Sequence, residues 1–197
     1  NNQTAQRNGN IKRCRWSNSL EWNELLMDDI KLQLQESIDT KKALLSANLD
    51  IIRKIADTVV NAFRNNHRIY LIGNGGSAAD AQHIAGELIG RFKMNRRPLP
   101  AVALTTDTSV ITALANDFGY DTCFARQVEA LADRGDVILA FSTSGNSKGI
   151  LDAVKVARER GAITIGFTGK DGGLLGSAAD ICLKIPSTNT PRIQECH

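Results

Sequence analysis

The sequence predicts an α/β fold with a mainly parallel sheet of five strands, preceded by N-terminal helices. Three observations carry this. Five short apolar runs, the first being RIYLIG, alternate with segments of helical periodicity. Each run gives way at its carboxyl end to Gly, Ser, Thr or Asp, the residues of tight turns. Those turns fall where parallel sheets keep their ligand crevice, beyond the carboxyl ends of the strands.

Residues 1–19 are polar and lack apolar periodicity, so they read as a flexible leader. A helix begins near Leu20, with Leu26, Ile30, Leu34, Ile38 and Leu45 recurring at helical spacing. A second runs from about Leu49 to Asn65, where Leu49, Ile52, Ile55, Ala56, Val59, Val60 and Phe63 share one helical face. At His67 the pattern changes. RIYLIG is a strand, and GNGGSAADAQHIAGELIG is a glycine turn opening a helix. PAVALT is the second strand, SVITALANDFG a helix, and a further helix lies around Ala125–Ala132. DVILAFS, AITIGFTG and DICLKIP are the remaining strands, with a helix after Gly145 and a glycine-rich turn, DGGLLG, before the last strand. TPRIQECH starts like a helix, and that helix is expected to continue past His197. Residues 20–197 thus read as a single domain with an N-terminal helical arm.

Composition excludes several classes. The 197 residues suit one well-cored domain. With 42% apolar and 23% charged residues, the chain is neither wholly disordered, collagen-like nor a dedicated coiled coil. No run of eighteen apolar residues occurs, which argues against a membrane span, and no apolar core follows the early basic residues as in a signal peptide. The net charge of +3 is too small for a nucleic-acid footprint. Cys14, Cys123, Cys182 and Cys196 are scattered and make neither a metal knuckle nor a dense disulfide framework. A reduced, cytoplasmic protein is expected.

Three turns converge at the predicted crevice: GNGGS, STSGNS and TGKDGG. The first fits a loose dinucleotide fingerprint, but the acid that should close the second strand is absent until Asp107, more than thirty residues on. No Gly-Lys-Ser/Thr ends the turn, so it is not a P-loop. Its glycines instead let a ligand approach the backbone. The second turn sets Ser142, Thr143, Ser144 and Ser147 around Gly145 at a helix start. Helix capping needs only one such hydroxyl. Four within six positions, with the N–H groups of a first helical turn, make a cup suited to a phosphate monoester. Ser77, at the other helix start, can add a donor.

His83 and Glu87 lie four apart, hence on one helix face, where they can share a metal or set a base beside an acid. Alone, the pair reads equally well as a surface histidine beside a solvated carboxylate. Arg91, one further turn along, can contact an anion or be plain surface charge. Asn116 and Asp117 close an apolar helical stretch and serve equally as a turn or as sugar-hydroxyl contacts. Arg192 and Glu195 read as helix-surface charge, His67 as structural, and Trp22 as a helix-packing residue.

GNGGSAADAQHIAGEL, TTDTSVITALANDFGY, FSTSGNS, TGKDGG and TPRIQE, in this order, resemble the sugar isomerase (SIS) domains and, more narrowly, the phosphoheptose isomerase family. The resemblance covers roughly residues 27–197. It implies a flavodoxin-like three-layer sandwich. It also implies isomerisation of sedoheptulose 7-phosphate to D-glycero-D-manno-heptose 7-phosphate, toward lipopolysaccharide core or other heptose-containing glycans. By that resemblance the phosphate lies on Ser142, Thr143, Ser144 and Ser147, aided by Ser77. Asn74, Gly75 and Gly76 would line the site, and Asn116 and Asp117 would contact the sugar. His83, Glu87 and Gln194 would bind a zinc ion in each subunit of a homotetramer with interfacial active sites. Glu87 would also be the base.

Two departures stand out. The family's partner histidine, zinc ligand and general acid, lies beyond the position matched by His197, which should not inherit its role. Pro191 stands before Arg192 where some members carry Asp. The competing class is a catalytically inactive SIS-domain protein resembling the one that associates with the bacterial replication initiator. That relative has the helix glutamate replaced, whereas this chain keeps Glu87, Gly76 and Ser144, which favours the isomerase. A sugar-phosphate-sensing regulatory domain is a third class, and no DNA-binding module is evident beside it.

Overall fold

The computed structural model describes residues 20–197, with side chains from Leu26 onward. The expected leader over residues 1–19, with Cys14, and the Trp22 side chain lie outside the described residues. The described residues fall into two units, residues 20–35 and residues 36–197.

In the first unit, residues 20–35 belong to helix α1 (Leu20–Ala47). The helical spacing read from the sequence is correct. The side chains that carry it there, Leu26, Ile30 and Leu34, are nevertheless exposed, as is Leu32 on another side of the helix.

The second unit continues α1, whose Thr40 is buried and whose Leu44 packs on the core. Helix α2 (Leu49–Arg64) follows, burying Ala62 and Phe63. The alternation then runs β1 (Ile69–Gly73), α3 (Gly76–Ile89), β2 (Ala101–Ala103), α4 (Thr108–Phe118) and α5 (Cys123–Leu131). It continues with β3 (Val137–Phe141), α6 (Lys148–Glu159), β4 (Ile163–Thr168), the short α7 (Leu175–Ala178), β5 (Ile181–Lys184) and the short α8 (Thr190–Gln194). All five strands pair in parallel, in the order β2-β1-β3-β4-β5.

Helices cover both faces, so the central strands are buried throughout; β1 and β3 expose no residue. Odd and even positions serve opposite faces. Ile69, Leu71, Val137, Leu139 and Phe141 pack with Phe63, Ala81 and Ile193, under α2, α3 and α8. Tyr70, Ile72, Ile138 and Ala140 pack with Phe124, Val128, Ile150 and Leu175, under α5, α6 and α7. These layers form the three-layer sandwich. Strand order reverses between β1 and β3, whose successors lie on opposite sides of the sheet. A doubly wound sheet opens its crevice at such a reversal, beyond the carboxyl ends of the two strands. The glycine turn leaves β1 there and the serine turn leaves β3. No helix among the described residues is long and apolar enough to cross a membrane.

Candidate active site

One hydrogen bond joins the two turns directly. Asn74 Nδ2 donates to Ser147 Oγ at 2.9 Å, and Asn74 Oδ1 accepts from Tyr120 Oη at 2.8 Å. Ser147 occupies the N-cap position of α6, yet its side chain makes no capping bond. Its hydroxyl accepts from Asn74 instead, so helix capping does not account for this residue.

The rest of the serine turn is held by backbone. Ser142 is buried and its N–H donates to Phe167 O, while Gly169 N–H donates to Thr143 O at 3.0 Å. Gly145 adopts φ +67°, and a Cβ there would overlap the carbonyl of Gly172. Gly173 lies equally close to the backbone of Ser144 and Gly145. Leu174 N–H donates to Asn146 Oδ1 at 3.0 Å and Leu175 N–H to Gly145 O at 2.9 Å. The third turn is therefore interlocked with the second. Ser144 remains exposed and its Oγ accepts from Asn146 N–H at 3.2 Å. A hollow of about 210 Å³ opens beside Thr143 and Ser144, bounded also by Lys170, Ser187 and Thr188.

The glycine turn works by leaving space. Gly75 caps α3 at φ 55°. A Cβ on Gly76 would overlap the Gln194 side-chain amide, so α8 seats Gln194 directly on this glycine. Ser77 is buried at the start of α3. Further along, His83 Nε2 stands 3.5 Å from Glu87 Oε1, the imidazole largely exposed and the carboxylate half-buried.

Asp80, one turn before His83, was not singled out by sequence reasoning. Its Oδ2 is shut from solvent with no hydrogen-bond partner among the described residues. Burial pushes its carboxyl above the usual carboxylate range, while His83 and the Gln194 amide pull it back. Asp80 therefore stands within reach of two of the three predicted metal donors, His83 and Gln194. Tyr120 was missed as well. Both lie within the motif segments GNGGSAADAQHIAGEL and TTDTSVITALANDFGY, but the contacts that bring them to the site, with Gln194 and Asn74, are remote in sequence.

Other predicted residues are not drawn in. Helix α3 ends at Ile89 with Gly90 as its cap, so Arg91 is exposed beyond the helix rather than one turn further along it. Asn116 and Asp117 are exposed near the end of α4, with Asn116 Nδ2 donating to Asp117 Oδ1 at 2.7 Å. No hydrogen bond or ion pair among the described residues ties these three to the turns. Arg192, expected on the surface, is buried, with Nη2 2.6 Å from Glu195 Oε1. His197 packs its ring near Phe141 and Phe167. Its burial holds the imidazole below its ordinary value, against a contact with Thr168 O that raises it. A larger, mainly apolar hollow of about 450 Å³ lies over edge strand β2, between α4 and α5, and none of the predicted site residues lines it.

The sequence model of the SIS domain family matches residues 34–169. A phosphoheptose isomerase of Geobacter sulfurreducens is 51% identical over 172 residues, covering 87% of this chain and 91% of the relative. This chain belongs to the phosphoheptose isomerase family. Solved structures agree. The phosphoheptose isomerase of Neisseria gonorrhoeae superimposes with a TM-score of 0.83 at 42% identity, over 87% of this chain and 92% of that one. The one from Francisella tularensis does so with a TM-score of 0.84 at 38% identity, over 87% and 91%. Phosphoheptose isomerases are aldose–ketose isomerases, so the interaction-protein alternative is not favoured.

Among the described residues, no group of three or more His, Cys, Asp or Glu side chains is placed to hold a metal ion. His83 and Glu87 nonetheless converge on one helix face, and α8 brings the Gln194 side-chain amide to Gly76 and Asp80. Imidazole, carboxylate and amide oxygen are donor types that suit a divalent ion such as zinc. The residues present fit the group.

Proposed function

We propose that this crevice interconverts sedoheptulose 7-phosphate and D-glycero-D-manno-heptose 7-phosphate by proton transfer through an enediolate, with Glu87 as the base. The observation that carries the reading is the Asn74–Ser147 hydrogen bond. It closes the hydroxyl cup of the serine turn against the turn from which the Glu87 helix departs.

The phosphate group rests on Ser142, Thr143, Ser144 and Ser147, with Ser77 opposite and Asn74, Gly75 and Gly76 lining the wall. Neutral hydroxyls and backbone N–H groups bind such an anion without a guanidinium clamp. Anchoring the far end of the sugar chain puts its carbonyl end toward α3, which converts a collision into a held geometry. The Glu87 carboxylate takes a proton from the carbon beside the carbonyl and returns it to the carbonyl carbon, while the hydroxyl proton on the first carbon passes to the former carbonyl oxygen. Asn116 and Asp117 are assigned to the sugar on family resemblance, and Arg91, from its place after α3, to steering the anion. His83, Glu87 and Gln194 would hold a zinc ion in each subunit. When bound, that ion supplies positive charge to the oxygen that becomes negative in the enediolate.

The family resemblance also supports a cytoplasmic homotetramer with active sites between subunits. Exposed large apolar side chains on α1 and α2, among them Leu26, Met27, Leu34, Leu49 and Val60, fit such an assembly. The test is to incubate the full-length protein with sedoheptulose 7-phosphate, with and without added zinc, and to follow aldose formation. Turnover that a chelator removes and zinc restores is the expected result. No turnover with zinc supplied would return the reading to a non-enzymatic SIS protein.

A further inference from the structure

We infer that Tyr120 is a positioning residue whose hydroxyl fixes the Asn74 amide, so that Ser147 offers a phosphate monoester a proton rather than a lone pair. The inference rests on the phosphate reading of the serine turn and concerns how that turn is polarised.

The geometry is a chain of three side chains from three segments. Tyr120, in the short turn Tyr120–Thr122 between α4 and α5, reaches Asn74 after β1, and Asn74 reaches Ser147 at the start of α6. An asparagine amide accepts at one end and donates at the other, so an asparagine held between two hydroxyls has two orientations. With Oδ1 on the Tyr120 hydroxyl, Nδ2 faces Ser147 Oγ and occupies one of its lone pairs. The single Ser147 proton is then left to point away from Asn74, into the cup. In the flipped orientation Oδ1 draws that proton to itself, and Ser147 turns lone pairs toward an incoming anion.

An anion is bound by donors, and charge-assisted bonds are roughly twice as strong as neutral ones. Only the first orientation serves it. The Tyr120 hydroxyl can donate, and by donating to Oδ1 it completes a chain that runs one way, from Tyr120 through Asn74 to Ser147 and out to the ligand. Phenylalanine at this position would leave Oδ1 without its donor and let the amide turn over. Tyr120 is more than half exposed, so removing its hydroxyl leaves the core untouched.

The test is a double-mutant cycle in the full-length protein with Tyr120→Phe, Ser147→Ala and the pair. It reads KM and kcat for sedoheptulose 7-phosphate and the inhibition constant of inorganic phosphate. Tyr120→Phe is expected to raise KM and the phosphate constant about fivefold, the worth of one hydrogen bond, with kcat within about twofold of the parent. The double variant is expected to bind phosphate no more weakly than Ser147→Ala alone, because Tyr120 acts through Ser147. Unchanged phosphate binding in Tyr120→Phe beside a weakened Ser147→Ala overturns the inference and leaves the phosphate reading standing. Two losses that simply add overturn it too, since Tyr120 would then act by another route. If Ser147→Ala itself leaves phosphate inhibition unchanged, the phosphate reading of Ser147 fails and the inference fails with it.

Discussion

The glycine turn and the serine turn occupy equivalent places, each leaving a central strand at the sheet's reversal point and opening a helix. They are built in opposite ways. The serine turn supplies its own side chains and is fixed from behind by backbone contacts to the turn after β4. The glycine turn supplies almost none. It leaves room for Gln194 from α8, and the proposed chemistry lies further along α3, at His83 and Glu87. One turn is a rigid anchor and the other an opening through which groups from elsewhere meet. On the proposed reading that division is sensible, because the phosphate stays as it is during the reaction while hydrogens shift at the carbonyl end of the sugar.

The largest expected effect tests that division outright. Glu87→Gln should lower kcat by about a thousandfold, the middle range for a lost general base, while inorganic phosphate still inhibits at its parental concentration. A variant that interconverts the two sugars at the parental rate would remove Glu87 from the mechanism.

Matched glycine substitutions sharpen the comparison. Gly145→Ala should lower unfolding free energy by about 2 kcal/mol in urea titration, since both its positive φ and a facing backbone carbonyl oppose a Cβ. Gly76→Ala should hardly move stability, because the group in its way is the end of a flexible side chain. It should instead displace Gln194 and cost about a hundredfold in turnover, the scale of a 1 Å misplacement. If the two glycines exchange these signatures, the anchor and the opening have been assigned the wrong way round.

The smallest effect concerns the floor beneath the anchor, where His197 meets Phe141 and Phe167. Burial keeps His197 below its ordinary value of 6.5 in the folded state, so the unfolded chain binds the proton first as pH falls. Its contribution to stability is full above about 6.5 and is lost as pH drops toward the folded value. The urea midpoint should fall between pH 7 and pH 5.5, and His197→Gln should flatten part of that slope.

Much of this was readable in the sequence. Strands such as RIYLIG and DVILAFS announce themselves, because a strand covered on both faces must be apolar throughout. The serine turn was legible because its chemistry is contiguous. Arg192 misled, since a five-residue helix is too short for periodicity to tell its buried side from its exposed one. Along α1 the period gave the helix correctly but could not name what its apolar residues face. Asp80 and Tyr120 were invisible for a different reason: their importance lies in whom they touch across the fold, and neither residue type is unusual where it stands.

The interlock of Gly145 with Gly172 and Gly173 has a consequence for anyone wishing to move the proposed anion site to another scaffold. STSGNS transplanted alone would arrive without the surface that shapes it, and any host loop bearing a side chain at the matching place would force it open. The transferable part is a pair of loops from neighbouring strands, together with the register that holds those strands side by side.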